Sequence, residues 1–179
     1  MATARASLAH LGIFVWDLAV MERFYTGVFG MVVTDRGVGA VFRNDLVFMT
    51  GSADQHHQLV LASGRQPGAA STVMQISFKV DSLADLRDLR DKAVAGGATD
   101  AMGLNHGNAW SVYFDDPEAN RVEIYLDTPF HTPQPCGEPL NLYISEAELL
   151  EETRLLVGGL SGSKPRSDYV TEMEGRLGH

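Results

Sequence analysis

The sequence predicts an α+β chain in which two βαβββ modules pair into a half-barrel cleft, followed by a C-terminal helical tail. Three observations carry that prediction: an internal repeat at fixed spacing, helix start and stop signals at matching places in each copy, and four polar residues at matching points of apolar strands. "LAHLGIFVWDL" from Leu8 lies over "VMQISFKVDSL" from Val73. Both are apolar strands that run into an aspartate, Asp17 or Asp81, with a leucine opening a helix close behind.

The helices follow at 19–29 and 84–95, each with apolar residues at helical spacing. Each stops at glycine, Gly30 in the first copy and Gly96-Gly97 in the second, as helix C-termini prefer. Copy one then offers short strands at "VVTD" from Val32, "AVF" from Ala40, "LVFM" from Leu46 and residues 57–61. Copy two offers "TDAM" from Thr99, then 110–114 and 121–126. The offset is constant at both ends, since His10 to Gln75 and Gln58 to Glu123 are each 65 residues apart. Neither half-open sheet buries its concave face alone, so the copies are expected to pair about a pseudo-twofold axis. That pairing gathers His10, Gln58, Gln75 and Glu123, all able to coordinate a metal or to hydrogen-bond, where sheet positions are ordinarily apolar.

The modules are placed at 7–65 and 72–129 within one domain spanning 1–129, with 130–179 as an extension. In the extension "SEAE" opens a helix through about Val157, with Ser145 as N-cap and Glu148 completing a capping box. Leu149, Leu150, Leu155 and Leu156 give it an apolar stripe, which either covers the cleft or docks on a second subunit. Residues 158–167 are Gly/Ser-rich, and the last dozen residues read as mobile.

Composition narrows the function. A net charge of −9 excludes a nucleic-acid or anionic-membrane partner, because both need clustered Lys and Arg. No apolar run reaches the roughly 18 residues of a membrane span, and "MATAR" lacks the apolar core of a secretory signal, so the chain is expected to start there. The single cysteine, Cys136 in "PQPCG", cannot form an internal disulfide and has no flanking cation to activate it. A cytoplasmic location is the default.

Each candidate has a bland alternative. His10 faces the cleft if Leu11, Ile13 and Val15 pack on the opposite face, but a lone histidine there is also compatible with core packing. Glu123, between Val122 and Ile124, needs a partner, and Arg65 or Arg121 would serve as well as a metal. Strand alternation aligns His56, not His57, with Gln58, unless the strand starts late and the turn re-aims His57. His106 sits between polar and glycine neighbours in a loop, where binding residues and idle ones both occur. "DPEAN" from Asp116 is a turn by composition. Phe14, Trp16 and Trp110 are candidates for an apolar wall or for ordinary core.

Together "HLGIFVWDL" from His10, Phe24-Tyr25, Phe29-Gly30 and "FDDPEANRVEIYL" from Phe114 resemble the vicinal oxygen chelate superfamily. It includes glyoxalase I, extradiol ring-cleaving dioxygenases, and bleomycin and fosfomycin resistance proteins. The matching pieces span 7–129. "HHQLVL" from His56 and "LNHGN" from Leu104 are most similar to the extradiol group. The resemblance implies an acid–base histidine at His57, a pocket histidine at His106, a substrate contact from Tyr113, and metal ligands at His10, Gln75 and Glu123. Gln75 stands where that group has its second histidine, and an amide oxygen is a weaker, harder donor than imidazole. Glyoxalase I accepts glutamine among four ligands, which implies the set His10, Gln58, Gln75 and Glu123, although two carboxylates are expected there and this chain has one.

The expected function is an extradiol-type dioxygenase that cleaves a catechol-like vicinal diol with O2 at a mononuclear Fe(II) or Mn(II), or another divalent metal, as a homodimer. The alternatives are a glyoxalase-like isomerase or lyase, and a non-enzymatic small-molecule-binding protein of the resistance type. Metal content separates the last from the first two, and oxygen uptake with catechols separates those two.

Overall fold

Period-two alternation in the first strand sets the layout: Ile13 and Val15 are buried while Gly12 and Phe14 are exposed on the other face. The computed structural model describes residues 6–178. Residues 1–5, where the sequence reading expects no secretory signal, lie outside the described residues. The first copy runs β1 (Leu11–Val15), α1 (Leu18–Phe29), β2 (Val32–Val38), β3 (Asp45–Thr50) and β4 (Leu59–Ser63). The second runs β5 (Ile76–Lys79), α2 (Leu83–Ala95), β6 (Thr99–Asn105), β7 (Ala109–Asp115) and β8 (Arg121–Asp127). The tail adds β9 (Phe130–His131), β10 (Glu138–Pro139), α3 (Glu146–Gly158), β11 (Lys164–Pro165) and α4 (Arg166–Leu177). The two main sheets are ordered β1-β4-β3-β2 and β10-β6-β7-β8-β5, with β11 and β9 pairing as a third, two-stranded sheet, and none closes into a barrel. Among the described residues no helix is long and apolar enough to cross a membrane.

Capping fixes both module helices. The Asp17 side chain accepts from Val20 N at the start of α1, and Gly30 ends it at φ 64°, a left-handed conformation that glycine adopts freely. Ser82 accepts from Asp85 N in the same way at α2. The helices cover one face of each sheet over Leu59, Leu61, Val112, Phe114, Val122 and Ile124. Aromatic contacts join the copies into one core: Phe29 stacks on Phe78 with centroids 3.8 Å apart, and Phe24 meets Phe114 at 6.3 Å.

The "DDPEAN" turn does more than its composition implies. Asp116 Oδ1 accepts from the backbone of Glu118 and Asn120, while its Oδ2 accepts from Tyr25 OH at 2.9 Å. Glu118, 1% exposed, accepts from Trp16 N at 2.9 Å and Asp17 N at 2.7 Å. A loop of copy two thereby holds the β1–α1 junction of copy one.

Several expected elements change. Residues 40–42 form a turn instead of a strand: Arg43 N donates to Gly39 O, Gly39 N donates to Asn44 O, and Arg43 takes a positive φ to close it. β6 continues through Asn105, beyond "TDAM". β4 begins only at Leu59, which leaves both His56 and His57 in the loop before it. The repeat also slips. Leu11 lies opposite Leu59 in β1–β4, yet Ile76 lies opposite Val122 in β5–β8, two residues short of what a 65-residue offset requires. Because two is even, Glu123 keeps its face but stands beside Ser77, so Gln58 is not its counterpart across the ladder.

The tail departs most. The capping box of Ser145 and Glu148 opens α3 as expected, but α3 buries Leu149, Thr153 and Val157 and leaves Leu155 63% exposed. It covers the helix side of the second sheet, where Thr153 Oγ1 accepts from Asn105 Nδ2 at 2.9 Å and Trp110 Nε1 at 2.8 Å. Trp110 therefore belongs to the core and not to the cleft wall. Thr153→Val should orphan both buried donors and lower stability by about 2 kcal/mol, read as a shifted denaturation midpoint. The end of the chain is a helix, with Tyr169 stacked on His131 at 3.9 Å and Arg166 paired with Asp127 at 2.9 Å.

Candidate functional site

Alternation along β5 and β8 sends Gln75, Ser77 and Lys79, and Glu123, Tyr125 and Asp127, to the concave face, while Val122 and Ile124 face the helices. On that face Glu123, 8% exposed, is the hub. Its Oε1 accepts from Tyr113 OH at 2.6 Å, and its Oε2 accepts from Ser77 Oγ at 2.7 Å and Gln75 Nε2 at 2.9 Å. Neither arginine weighed as a partner reaches it: Arg121 pairs with Asp115, and Arg65 donates to Asn120 and Ala69 O. Neutral donors thus satisfy a nearly buried charge without cancelling it.

Two hollows meet at this hub. One, of about 630 Å³, is lined by His10, Gln58, Gln75, Ser77 and Lys79 among others. The second, of about 240 Å³, is lined by His106, Tyr113, Glu123, Tyr125 and Gln134 with their neighbours. The structure thus brings His10 to Gln75 and, through the Gln75–Glu123 bond, to Tyr113 and His106. Gln58 lines the same hollow, but its Oε1 accepts from Gly51 N at 2.9 Å and steadies the β3–β4 hairpin.

His106 is held by the tail. Its Nδ1 lies 2.5 Å from Cys136 O, which can only accept, so Nδ1 carries a proton, while Nε2 lies 3.1 Å from Tyr113 OH, whose single proton serves either Nε2 or, at the shorter 2.6 Å, Glu123 Oε1. Gln134 Nε2 donates to His106 O at 2.9 Å. The Cys136 thiol is itself pushed up in pKa by burial and by Glu138, which favours its neutral form over the thiolate.

His56 and His57 form a hydrogen-bonded chain with Asp35 beside the first sheet. His56 Nε2 lies 2.8 Å from Asp35 Oδ2, and His56 Nδ1 lies 3.0 Å from His57 Nδ1. A carboxylate only accepts, so neutral His56 is protonated at Nε2 and its Nδ1 accepts a hydrogen bond from His57 Nδ1–H, which leaves the His57 Nε2 lone pair free. Partial burial, then His10 and His56, lower the His57 pKa. The His57 ring sits 4.4 Å from that of His10 and edge-on to Phe48. Phe14 lies on this concave face, 59% exposed, whereas Trp16 lies under the Arg65 guanidinium at 5.2 Å.

Sequence reasoning missed Ser77, Asp35 and Gln134. Ser77 was accessible from alternation, two residues past Gln75 on one face; no local pattern marks Asp35 or Gln134. Among the described residues no three His, Cys, Asp or Glu side chains gather as metal ligands do, because two of the four repeat positions are glutamines. The set still suits a hard divalent ion: a carboxylate, an imidazole, and a Gln75 Oε1 that accepts no hydrogen bond among the described residues.

Burial and the Glu123 contact push the Tyr113 phenol up in pKa, and burial with Asp116 does the same to Tyr25. Tyr25 and Tyr113 should therefore stay protonated above about pH 10, and replacing either with Phe should leave the phenolate absorbance just above that pH unchanged. Above about pH 10 the unfolded chain ionises these two first, so their contribution to stability is complete below that pH and is lost as pH rises.

Comparisons with known proteins agree with this architecture. The family model described as the Glyoxalase/Bleomycin resistance protein/Dioxygenase superfamily matches residues 7–124. Biphenyl-2,3-diol 1,2-dioxygenase 2 of Rhodococcus globerulus is 28% identical over 145 residues, covering 78% of this chain and 72% of its own length. In fold the chain is similar to a glyoxylase/bleomycin resistance protein/dioxygenase domain from Frankia sp. EAN1pec (TM-score 0.60, 20% identity, 70% of this chain and 100% of that one). It is also similar to the fosfomycin resistance protein FosX of Listeria monocytogenes complexed with Mn(II) and sulfate (TM-score 0.53, 17% identity, 70% and 95%).

Proposed function

Because the chain belongs to the glyoxalase/bleomycin resistance protein/dioxygenase superfamily, we propose that it is a divalent-metal-dependent enzyme of the extradiol type, cleaving a catechol-like vicinal diol with O2. The observation that carries this reading is the Glu123 hub, which accepts from Gln75 on one side and from Tyr113, beside His106, on the other, next to the hollow that His10 and Gln75 line. The relative named as a biphenyl-2,3-diol dioxygenase supports the substrate class.

His10, Gln75 through Oε1, and Glu123 would hold Mn(II) or Fe(II), and the ion would supply Lewis acidity that makes a diol hydroxyl easier to deprotonate. His57 Nε2 would take that proton, with Asp35 and His56 holding the required tautomer. Tyr113 OH and His106 would hydrogen-bond the substrate oxygens, and the Cys136 carbonyl keeps the His106 ring from rotating. Phe14 and Phe48 would give the ring an apolar surface.

The test is metal content of protein purified without chelator, then anaerobic loading with Fe(II) or Mn(II) and oxygen uptake with small catechols. Stoichiometric metal with oxygen consumption and a coloured ring-opened product supports the reading. Metal bound without oxygen uptake moves the protein to the isomerase or lyase class, and no metal even after loading leaves a hydrogen-bonding cleft that binds without catalysis.

A further inference from the structure

One charge cluster at the cleft is not used by the reaction proposed above. Lys79 lines the same hollow as His10, Gln75 and Ser77, and its Nζ lies 2.6 Å from Asp127 Oδ2. Arg166, the first residue of α4, reaches the same oxygen at 2.9 Å. Two cations therefore share one carboxylate, leaving one positive charge uncancelled in a chain whose net charge is −9. The ammonium uses one of its three protons and the guanidinium one of its five, among the described residues. Both are half open to solvent, with side chains 49% and 41% exposed.

The position matters as much as the charge. Glu123 lies opposite Ser77 and Tyr125 lies opposite Lys79, so Lys79 stands two residues along from the hub, about 7 Å at the usual strand rise. Tyr125 spans the interval on the concave face and lines the hollow that also contains Tyr113, His106 and Glu123. A diol anchored at Glu123 with its ring over Tyr125 would place a substituent on the far side of the ring beside Lys79 and Arg166.

We propose that the diol carries a carboxylate on the side of the ring remote from its hydroxyls, bound by Lys79 and Arg166. The carboxylate completes a neutral cluster of two cations and two anions. It also gives this acidic chain a local point of attraction for an anionic substrate. The inference names the substrate class of the site under the proposed diol reading and rests on it for the diol alone.

Calorimetric titration of the Mn(II)-loaded full chain tests it with three probes: dihydroxyphenylacetate, methylcatechol and phenylacetate. Dihydroxyphenylacetate should bind at least about tenfold tighter than methylcatechol, with a preference that shrinks as salt rises. Lys79→Met should bring the two diols to within about twofold, and Arg166→Met should reduce the preference in part. Both variants keep Asp127 paired to the remaining cation, and unchanged denaturation midpoints would show that they fold. Equal affinity for the two diols, or a preference untouched by Lys79→Met, overturns the proposal while leaving the diol reading intact. Phenylacetate binding as tightly as the diol acid, and losing affinity in Lys79→Met, supports the anion site and overturns the diol reading. Binding of none of the three overturns both.

Discussion

Glu118→Ala should lower the unfolding free energy by about 2–4 kcal/mol. The carboxylate is 1% exposed and accepts from Trp16 N and Asp17 N. Alanine leaves both amides without that acceptor at the point where β1 passes into α1. The damage is not local to the turn, because Asp17 is the N-cap of α1, and α1 carries Phe24, Tyr25 and Phe29 into the core shared by both copies. Glu118→Gln keeps the shape and one acceptor oxygen and should cost about half as much, since hydrogen bonds to an ionised acceptor are roughly twice as strong as neutral ones. Denaturant melts with an unchanged slope would show the loss as a lower midpoint. A midpoint equal to the parent would mean that the clamp contributes nothing to joining the copies.

Gln75→His should raise affinity for Fe(II) at least tenfold, on the scale by which ligand changes ordinarily move metal affinity. The substitution replaces a neutral amide oxygen with imidazole beside Glu123 and completes a set of two histidines and one carboxylate. It also makes binding more dependent on pH in a defined direction. A proton competes for the new imidazole, so affinity should fall as pH drops through about 6.5, more steeply than in the parent. Glu123→Gln is the opposite control, removing the only carboxylate of the set. Metal titrations of the three proteins across pH decide the matter. Unchanged Fe(II) affinity in Gln75→His would remove Gln75 from the proposed set and leave it as a hydrogen-bond donor to Glu123.

How legible the site was in the sequence depended on what each signal measures. Alternation put Ile13 and Val15 on the buried face as expected, because side-chain direction in a strand is a local property of the backbone, whereas Leu11, at the strand's first position, stays exposed. The same rule would align His56 with Gln58, but β4 starts only at Leu59, so neither histidine is bound by strand alternation. A hydrogen-bond chain from Asp35, remote in sequence, then determines which histidine offers a free nitrogen. The 65-residue repeat gave the order of strands and helix in both copies apart from the turn at 40–42, yet equated Gln58 with Glu123, since an offset counts residues along the chain and not partners across a ladder. The two-residue slip of β5 on β8 is invisible to it.

By itself the sequence determined the two βαβββ copies, their capped helices and the capping box of α3, all consequences of short-range periodicity and local hydrogen bonding. Only the tertiary structure decided the side of the sheet that α3 covers, the docking of α4, the clamp from Glu118 to Trp16 and Asp17, and the tail's hold on His106 through Cys136. The physical reason is common to these. Each is a partnership between groups far apart in the chain, chosen by the need to pair buried donors and acceptors once the two sheets share a core, and no local pattern records the partner.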